Sequence, residues 1–287
     1  MISRRKLMTG AGCAITGGSL CATMTSAPAK TGKTIDAHGH LTHHSRPDWR
    51  ITDRQVIDVY DKLGIDQGCC SILSTHPPAT PEAFRDCNDW VYEAMQRFPG
   101  RILGYAHVNP GYRTEAIAEV RRCVEDRNFV GIKLYNDYVV NEPVVWPLIE
   151  LAIELRVPIL HHAGHVSWLP SPQPRISDGA AFAEIGKRYP EAMIICGHIC
   201  GGGDWEWQIK SLRNSPSIYL DTSGSVVDEG VIEMAVDVLG AGRLLFACDM
   251  SFTASVGRMR SSNLSNADKQ KIYGGNMAGI LGCRTKP

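Results

Sequence analysis

The chain carries no excess of charge: 30 lysines and arginines stand against 30 aspartates and glutamates in 287 residues, a formal net charge of zero. A broad basic surface for a nucleic-acid backbone is therefore not expected. No internal repeat, low-complexity tract or linker divides it, which favours one domain. No glycine-rich dinucleotide fingerprint follows the first apolar run, and Gly201-Gly202-Gly203 lacks the lysine and hydroxyl residue of a phosphate loop. Both absences argue against a doubly wound nucleotide-binding sheet. Apolar residues make up 44% of the chain, enough for a sizeable core.

The N-terminus reads as an address. Arg4-Arg5-Lys6 precedes a weakly apolar stretch rich in Gly, Ala and Thr, and Ala27-Pro28-Ala29 offers small residues at a cleavage point. The paired arginines resemble a twin-arginine export signal, so residues 1–29 are expected to be a signal segment and the mature protein periplasmic or secreted. The stretch is too short and too polar for a permanent span, and no membrane partner is expected of the mature form. Removal would take three cations and no acid, leaving a mildly acidic chain. Of the ten cysteines, several sit in or beside apolar runs and read as small buried hydrophobes, although an oxidising compartment would permit disulfides. Cys196 and Cys200 would lie about 13 Å apart on an extended strand, too far to share one zinc ion.

Along residues 30–287, eight apolar runs alternate with helical patterns. Strands are expected at 34–40, 69–75, 102–109, 130–136, 157–163, 193–199, 217–222 and 244–250. Helices are expected near 52–64, 80–98, 113–127, 142–155, 177–190, 204–214, 227–239 and 265–282. Gly64 reads as a helix stop, and Asn141-Glu142-Pro143 as a helix start. Eight strand–helix units in about 250 residues predict a (β/α)8 TIM barrel, whose chemistry sits at the C-terminal strand ends.

Those ends are where the polar residues fall. His38 and His40, two apart on the first run, share a face about 6–7 Å apart and suit one metal ion. Lys133, His162, His198 and Asp249 end the fourth, fifth, sixth and eighth runs. His161 and His162 point to opposite faces, so only one can look into the barrel. Asp36 is expected to fix the strand end. Arg46 and Arg50 are candidate grips for an anionic substrate, and Trp205 either lines a pocket or anchors its helix. His43, His44, His107 and His165 read as loop or packing residues.

These residues resemble the amidohydrolase superfamily, in particular its amidohydrolase-related branch of small barrel hydrolases and decarboxylases. The opening Asp36-Ala37-His38-Gly39-His40 matches the family's first-strand pattern, and Leu63-Gly64-Ile65-Asp66 resembles its lead into the second strand. Pro158 with His162-Ala163-Gly164, and the closing Lys271–Ala278 stretch, add matches in the family's order. The resemblance implies that His38, His40, His162 and Asp249 bind a divalent metal, and it selects His162 over His161. His198 would be a further ligand or a catalytic imidazole, and Asp249 would also move a proton. Lys133 would be either a carboxylated bridge between two ions or a lysine paired with an acid or a substrate carboxylate. Zinc is the first choice of metal, with manganese or iron as alternatives and one or two ions. Ala247-Cys248 and Met250-Ser251 depart from the family's usual residues around the last aspartate.

The implied activity is metal-dependent hydrolysis of an amide, lactone or ester of a small molecule, since a divalent ion lowers the pKa of bound water toward about 7. The alternative is non-oxidative decarboxylation of an aromatic or unsaturated carboxylate. A non-catalytic binding barrel is the third reading. The partner is a small molecule, and a homo-oligomer is left open.

Overall fold

Eight parallel strands stand in sequence order in one sheet: β1 (Ile35–Leu41), β2 (Gln67–Ile72), β3 (Ile102–His107), β4 (Gly131–Leu134), β5 (Ile159–His161), β6 (Ile194–Cys196), β7 (Ile218–Asp221) and β8 (Leu244–Leu245). The ring is drawn together from β8 to β1 by two backbone bonds, Ala37 N–H to the Phe246 carbonyl at 2.9 Å and Asp249 N–H to the His38 carbonyl at 2.8 Å. This is the expected (β/α)8 barrel, seen in a computed structural model that describes residues 32–42, 52–72, 80–164, 175–199, 204–224, 226 and 228–285. All of these belong to one compact unit, Thr31–Pro287. The expected signal segment, His43, His44, Arg46, Arg50, His165, Cys200 and the glycine run lie outside the described residues. Among the described residues no helix is long and apolar enough to cross a membrane, and the described cysteines are free, six of the seven buried.

The outer ring holds α1 (Asp53–Leu63), α2 (Pro81–Arg97), α3 (Arg113–Arg121), α4 (Trp146–Leu155), α5 (Gly179–Arg188), α6 (Trp205–Ser211), α7 (Val231–Leu239), α8 (Phe252–Ser261), α9 (Asn266–Gln270) and α10 (Asn276–Gly282). Local chemistry sets their ends. Thr52 and Gln55 form a capping box at the start of α1, worth about 1 kcal/mol, and Gly64 at φ 74° ends it. Asp178 and Asp204 cap α5 and α6. The expected start at Asn141 is corrected: its side chain donates to Glu184, residues 142–145 turn, and α4 opens at Trp146.

The expected 265–282 helix is present, with an irregular middle turn. A π-helical turn, Lys271–Gly275, separates α9 from α10, and the Ile272 carbonyl accepts the Phe246 N–H at 2.9 Å. Gly274 is obligatory there, because a Cβ would fall 1.9 Å from the Lys33 carbonyl oxygen. The last helix thus seats against the strand seam, with Met277 and Ile280 joining the apolar floor inside the barrel.

The strands are buried on both faces, as parallel strands under helices must be. Outward residues such as Cys70, Ile132, Ile194 and Leu220 meet the helices. Inward ones, Ile35, Ala37, Cys69, Tyr105, Leu160, Ile195 and Leu245, fill the barrel. Strict alternation fails once. The β1–β2 register shifts between Asp36 and Gly39, so Ala37 and His38 both face inward while Asp36 and Gly39 face Tyr60 of α1.

Candidate metal centre

The polar mouth begins one step above that floor. Strands β6 and β8 end at Cys196 and Leu245, short of their apolar runs, and the chain turns left-handed a few residues further on. His198, Asp249 and Met250 take left-handed φ values of 67°, 43° and 63°. Such a conformation strains a residue with a Cβ by about 1–3 kcal/mol. Surrounding bonds hold it: His198 N–H to Asp221 Oδ1 at 2.9 Å and Asp249 N–H to the His38 carbonyl. The turns aim both side chains at the barrel axis.

Five of the expected residues converge. His38, His198 and Asp249 each offer an atom within 4.8 Å of the others, a geometry that could hold a metal ion. His40 Nε2 lies 3.1 Å from Asp249 Oδ1, and His38 Nε2 3.7 Å from the same oxygen. His162, just past β5, places Nδ1 3.0 Å from His198 Nε2. His198 therefore sits in the tightest trio, with His162 beside it, where the family resemblance ranked His162 ahead of His198. His161 faces outward as alternation requires, edge-on to Phe182 of α5, with Nδ1 bonded to the His162 carbonyl at 2.7 Å. Trp205 packs against the outer core and is an anchor of α6, not a member of the mouth. Asp36 does fix the strand end: Oδ1 accepts from His38 N–H and Cys248 N–H, and Oδ2 from the Tyr60 hydroxyl.

Three of the four imidazoles have one nitrogen held from behind. His38 Nδ1 meets Asp221 Oδ2 at 2.8 Å, His40 Nδ1 meets Ser71 Oγ at 3.2 Å, and His198 Nδ1 meets Ser223 Oγ at 3.1 Å. Carboxylate and hydroxyl partners of this kind orient metal-binding histidines and fix their tautomers. With Nδ1–H given to Asp221, His38 Nε2 is the acceptor, and Lys133 Nζ donates to it at 2.9 Å. Lys133 is wholly buried, its ammonium 4.7 Å from the Tyr135 ring centre. Asp221, Ser223 and Ser71 were not named from the sequence. The seventh apolar run ends in Asp221 as its neighbours end in histidine or lysine, and that recurrence was the available signal.

Burial sets the protonation states. It lowers His38 to about 3, with Lys133 adding to the effect, and pulls His162 and His198 down as well. These three imidazoles are thus neutral at pH 7. Burial likewise lowers Lys133 to about 8. For Asp249 burial acts upward, yet the surrounding imidazoles, His38 first, hold it well below the carboxylate range. Its side chain remains 28% exposed against 1% for His38, so it is the open side of the cluster. Neutral imidazoles, one ionised carboxylate and a buried His162 Nε2 without a partner among the described residues form a donor set that fits a divalent cation.

The amidohydrolase model matches residues 35–282 of the chain. A curated relative, the gamma-resorcylate decarboxylase of Polaromonas sp. (strain JS666), is 26% identical over 313 residues, covering 86% of this chain and 94% of the relative. Among solved structures, 2,6-dihydroxybenzoate decarboxylase from Rhizobium superposes with a TM-score of 0.71 at 19% identity, over 87% of this chain and 98% of that one. Dihydroxybenzoic acid decarboxylase from Polaromonas sp. JS666, with bound manganese and the inhibitor 2-nitroresorcinol, gives 0.68 at 21% identity, over 87% and 97%. The barrel, its order of strands and the family match across nearly all of the described residues make this chain a member of the amidohydrolase family.

Proposed function

We propose that the protein is a metal-dependent, non-oxidative decarboxylase of a small hydroxylated aromatic carboxylate. The hydrolase reading that led from the sequence gives way to its alternative. The observation that carries the choice is the alignment of this chain with a gamma-resorcylate decarboxylase over 94% of that relative. The mouth described above supplies the chemistry that the choice needs. His38, His40, His198 and Asp249 would hold the ion, with His162 alongside; manganese becomes the first metal to load, given the manganese-bound neighbour. Such an ion supplies positive charge for the anionic oxygens of substrate and product.

The protein's own groups do the rest. Buried Lys133 adds a fixed positive charge beneath the mouth and favours an anionic ligand. Asp249, the most open of the clustered groups, is placed to carry a proton to the carbon that loses its carboxylate. Its exposure lets solvent renew that proton. The balance is one carboxylate and one proton giving one C–H bond and one carbon dioxide, with no water consumed.

Manganese-loaded protein offered 2,6-dihydroxybenzoate, related hydroxybenzoates and a set of aryl lactones and esters tests the assignment. Carbon dioxide released in proportion to substrate lost is expected. Incorporation of labelled oxygen from water, without carbon dioxide, would restore the hydrolase. The N-terminal segment is proposed as an export signal, and periplasmic recovery that fails on replacing Arg4 and Arg5 by lysine would bear on that alone.

A further inference from the structure

His107 is the histidine of the barrel mouth that the metal centre does not use. It ends β3, two residues beyond Tyr105 of the inner layer, so its side chain faces the barrel axis rather than a loop. It is wholly buried, and among the described residues neither ring nitrogen has a hydrogen-bond partner. A neutral imidazole carries one donor and one acceptor, and leaving them unpaired inside a protein costs on the order of 2 kcal/mol. The fold nevertheless fixes this residue with a second buried polar group. Asn88 of α2 accepts from the His107 N–H at 2.8 Å and donates to its carbonyl at 3.0 Å. A residue needed only for packing would be served better by leucine.

Its surroundings favour an oxygen ligand. His107 pairs in register with Lys133 of β4. The half-buried Tyr135 ring lies edge-on to it at 4.8 Å and 6.1 Å from the ring of His162, whose Nε2 is also unpaired. Unpaired imidazole nitrogens beside an ammonium thus line the β3–β5 arc, across the ring from Asp249 beyond β8.

We propose that His107 is a substrate-binding residue whose ring N–H holds a ring oxygen of the substrate, the hydroxyl conjugated with the carbon that loses carbon dioxide. This rests on the decarboxylase reading. In that reaction a proton first adds to the carbon that bears the carboxylate, which becomes tetrahedral while the conjugated hydroxyl gives up its proton and becomes a carbonyl. The bond to the carboxylate then breaks, its electron pair flows through the ring to that oxygen, which takes a proton back, and carbon dioxide leaves uncharged. Donors gripping the departing carboxylate would stabilise the ground state and oppose release. A donor on the conjugated hydroxyl stabilises the oxygen on which charge collects as the bond breaks. The ligand class is therefore an aromatic carboxylate with a hydroxyl ortho or para to the carboxylate.

The test uses manganese-loaded full-length protein and its His107→Leu and His107→Gln variants, titrated calorimetrically with 2,6-dihydroxybenzoate and with benzoate, which lacks the hydroxyl. Bound manganese, Tm and carbon dioxide release are followed in parallel. In His107→Leu, manganese content is expected to hold and Tm to hold or rise, while dihydroxybenzoate affinity falls at least tenfold and benzoate affinity less than twofold. His107→Gln, which keeps a donor, should recover at least threefold of the loss. Dihydroxybenzoate affinity within twofold of wild type in His107→Leu overturns the proposal, as does an equal loss for both ligands with a lowered Tm. If the wild type releases carbon dioxide but His107→Leu binds normally, the inference falls and the decarboxylase stands. If binding depends on His107 but no carbon dioxide appears, the decarboxylase falls and the binding role stands. If the wild type binds neither probe, both fall.

Discussion

The floor and the mouth of the barrel are built from the same strands, a few residues apart, and they obey opposite rules. On the floor, Tyr105, Leu160, Ile195 and Leu245 interdigitate, and Gly131 leaves room for Tyr105, whose ring a Cβ there would meet at 2.6 Å. Backbone is extended, side chains are apolar, and burial contributes roughly 1.5–3 kcal/mol for each large aliphatic group. At the mouth, His107, Lys133, His162, Asp221 and Asp249 succeed those same strands. Charges and imidazoles are desolvated, ring nitrogens of His107 and His162 lack partners among the described residues, and His198 and Asp249 sit in left-handed backbone. The floor offsets what the mouth costs. The difference teaches that position along a strand, more than residue type alone, separates stabilising from chemical roles in this chain.

The comparison is broken most sharply by exchanging effects between the layers. His38→Ala and Asp249→Ala should each lower bound manganese below about a tenth of the wild-type level and turnover by about a thousandfold or more. Circular dichroism should still report a folded barrel. Full turnover by metal-free His38→Ala would sink the assignment. On the floor, Leu160→Ala should cost about 2–5 kcal/mol in urea unfolding while manganese bound per folded molecule stays at the wild-type value. A metal defect in Leu160→Ala would mean that the two layers are not separable.

The fold was legible because periodicity and length are collective signals. All eight strands lie where apolar runs do, and His38, His40, His162, His198 and Asp249 meet as the resemblance implied. What escaped is what one residue decides. The left-handed turns at His198 and Asp249, past the ends of β6 and β8, are not registered by hydropathy. Helix α8 was not anticipated, although Phe252, Val256 and Met259 recur at helical spacing; Gly257 and its polar neighbours dilute the pattern. The π-turn at Lys271–Gly275 answers to the Lys33 carbonyl, a contact more than 200 residues away in sequence. His107 read as a packing residue because an unpaired nitrogen is visible only once its neighbours are in place.

Acid should sharpen the contrast. Burial lowers His161 from 6.5 to about 4, so above pH 6.5 both folded and unfolded chains hold it neutral. As pH falls below 6.5 the unfolded chain takes up a proton that the folded one refuses, and stability is lost down to about pH 4. At 1.36 kcal/mol per pH unit this group accounts for about 2 kcal/mol between pH 7 and 4.5. His161→Leu in metal-free protein should shrink the difference between urea unfolding at those two pH values by about that amount. An unchanged difference would place the acid sensitivity in the mouth alone.

The smallest expected effect tests how the mouth keeps one tautomer. Asp221 Oδ1 accepts three bonds, from His198 N–H at 2.9 Å, Ser223 N–H at 2.9 Å and the Ser223 hydroxyl at 2.7 Å. Oδ2 alone faces His38 Nδ1. In Asp221→Asn the amide oxygen must stay with the three donors, which turns the NH2 toward His38. Nδ1 then accepts, the ring proton moves to Nε2, and the lone pair that faces the cluster is lost. Manganese affinity should fall about 10–100-fold, with stability changed far less than in Leu160→Ala. The imidazole nitrogen-15 shifts of metal-free protein read the tautomer directly. Protonation found still on Nδ1 in Asp221→Asn would show that Lys133, which donates to Nε2 at 2.9 Å, sets the tautomer instead.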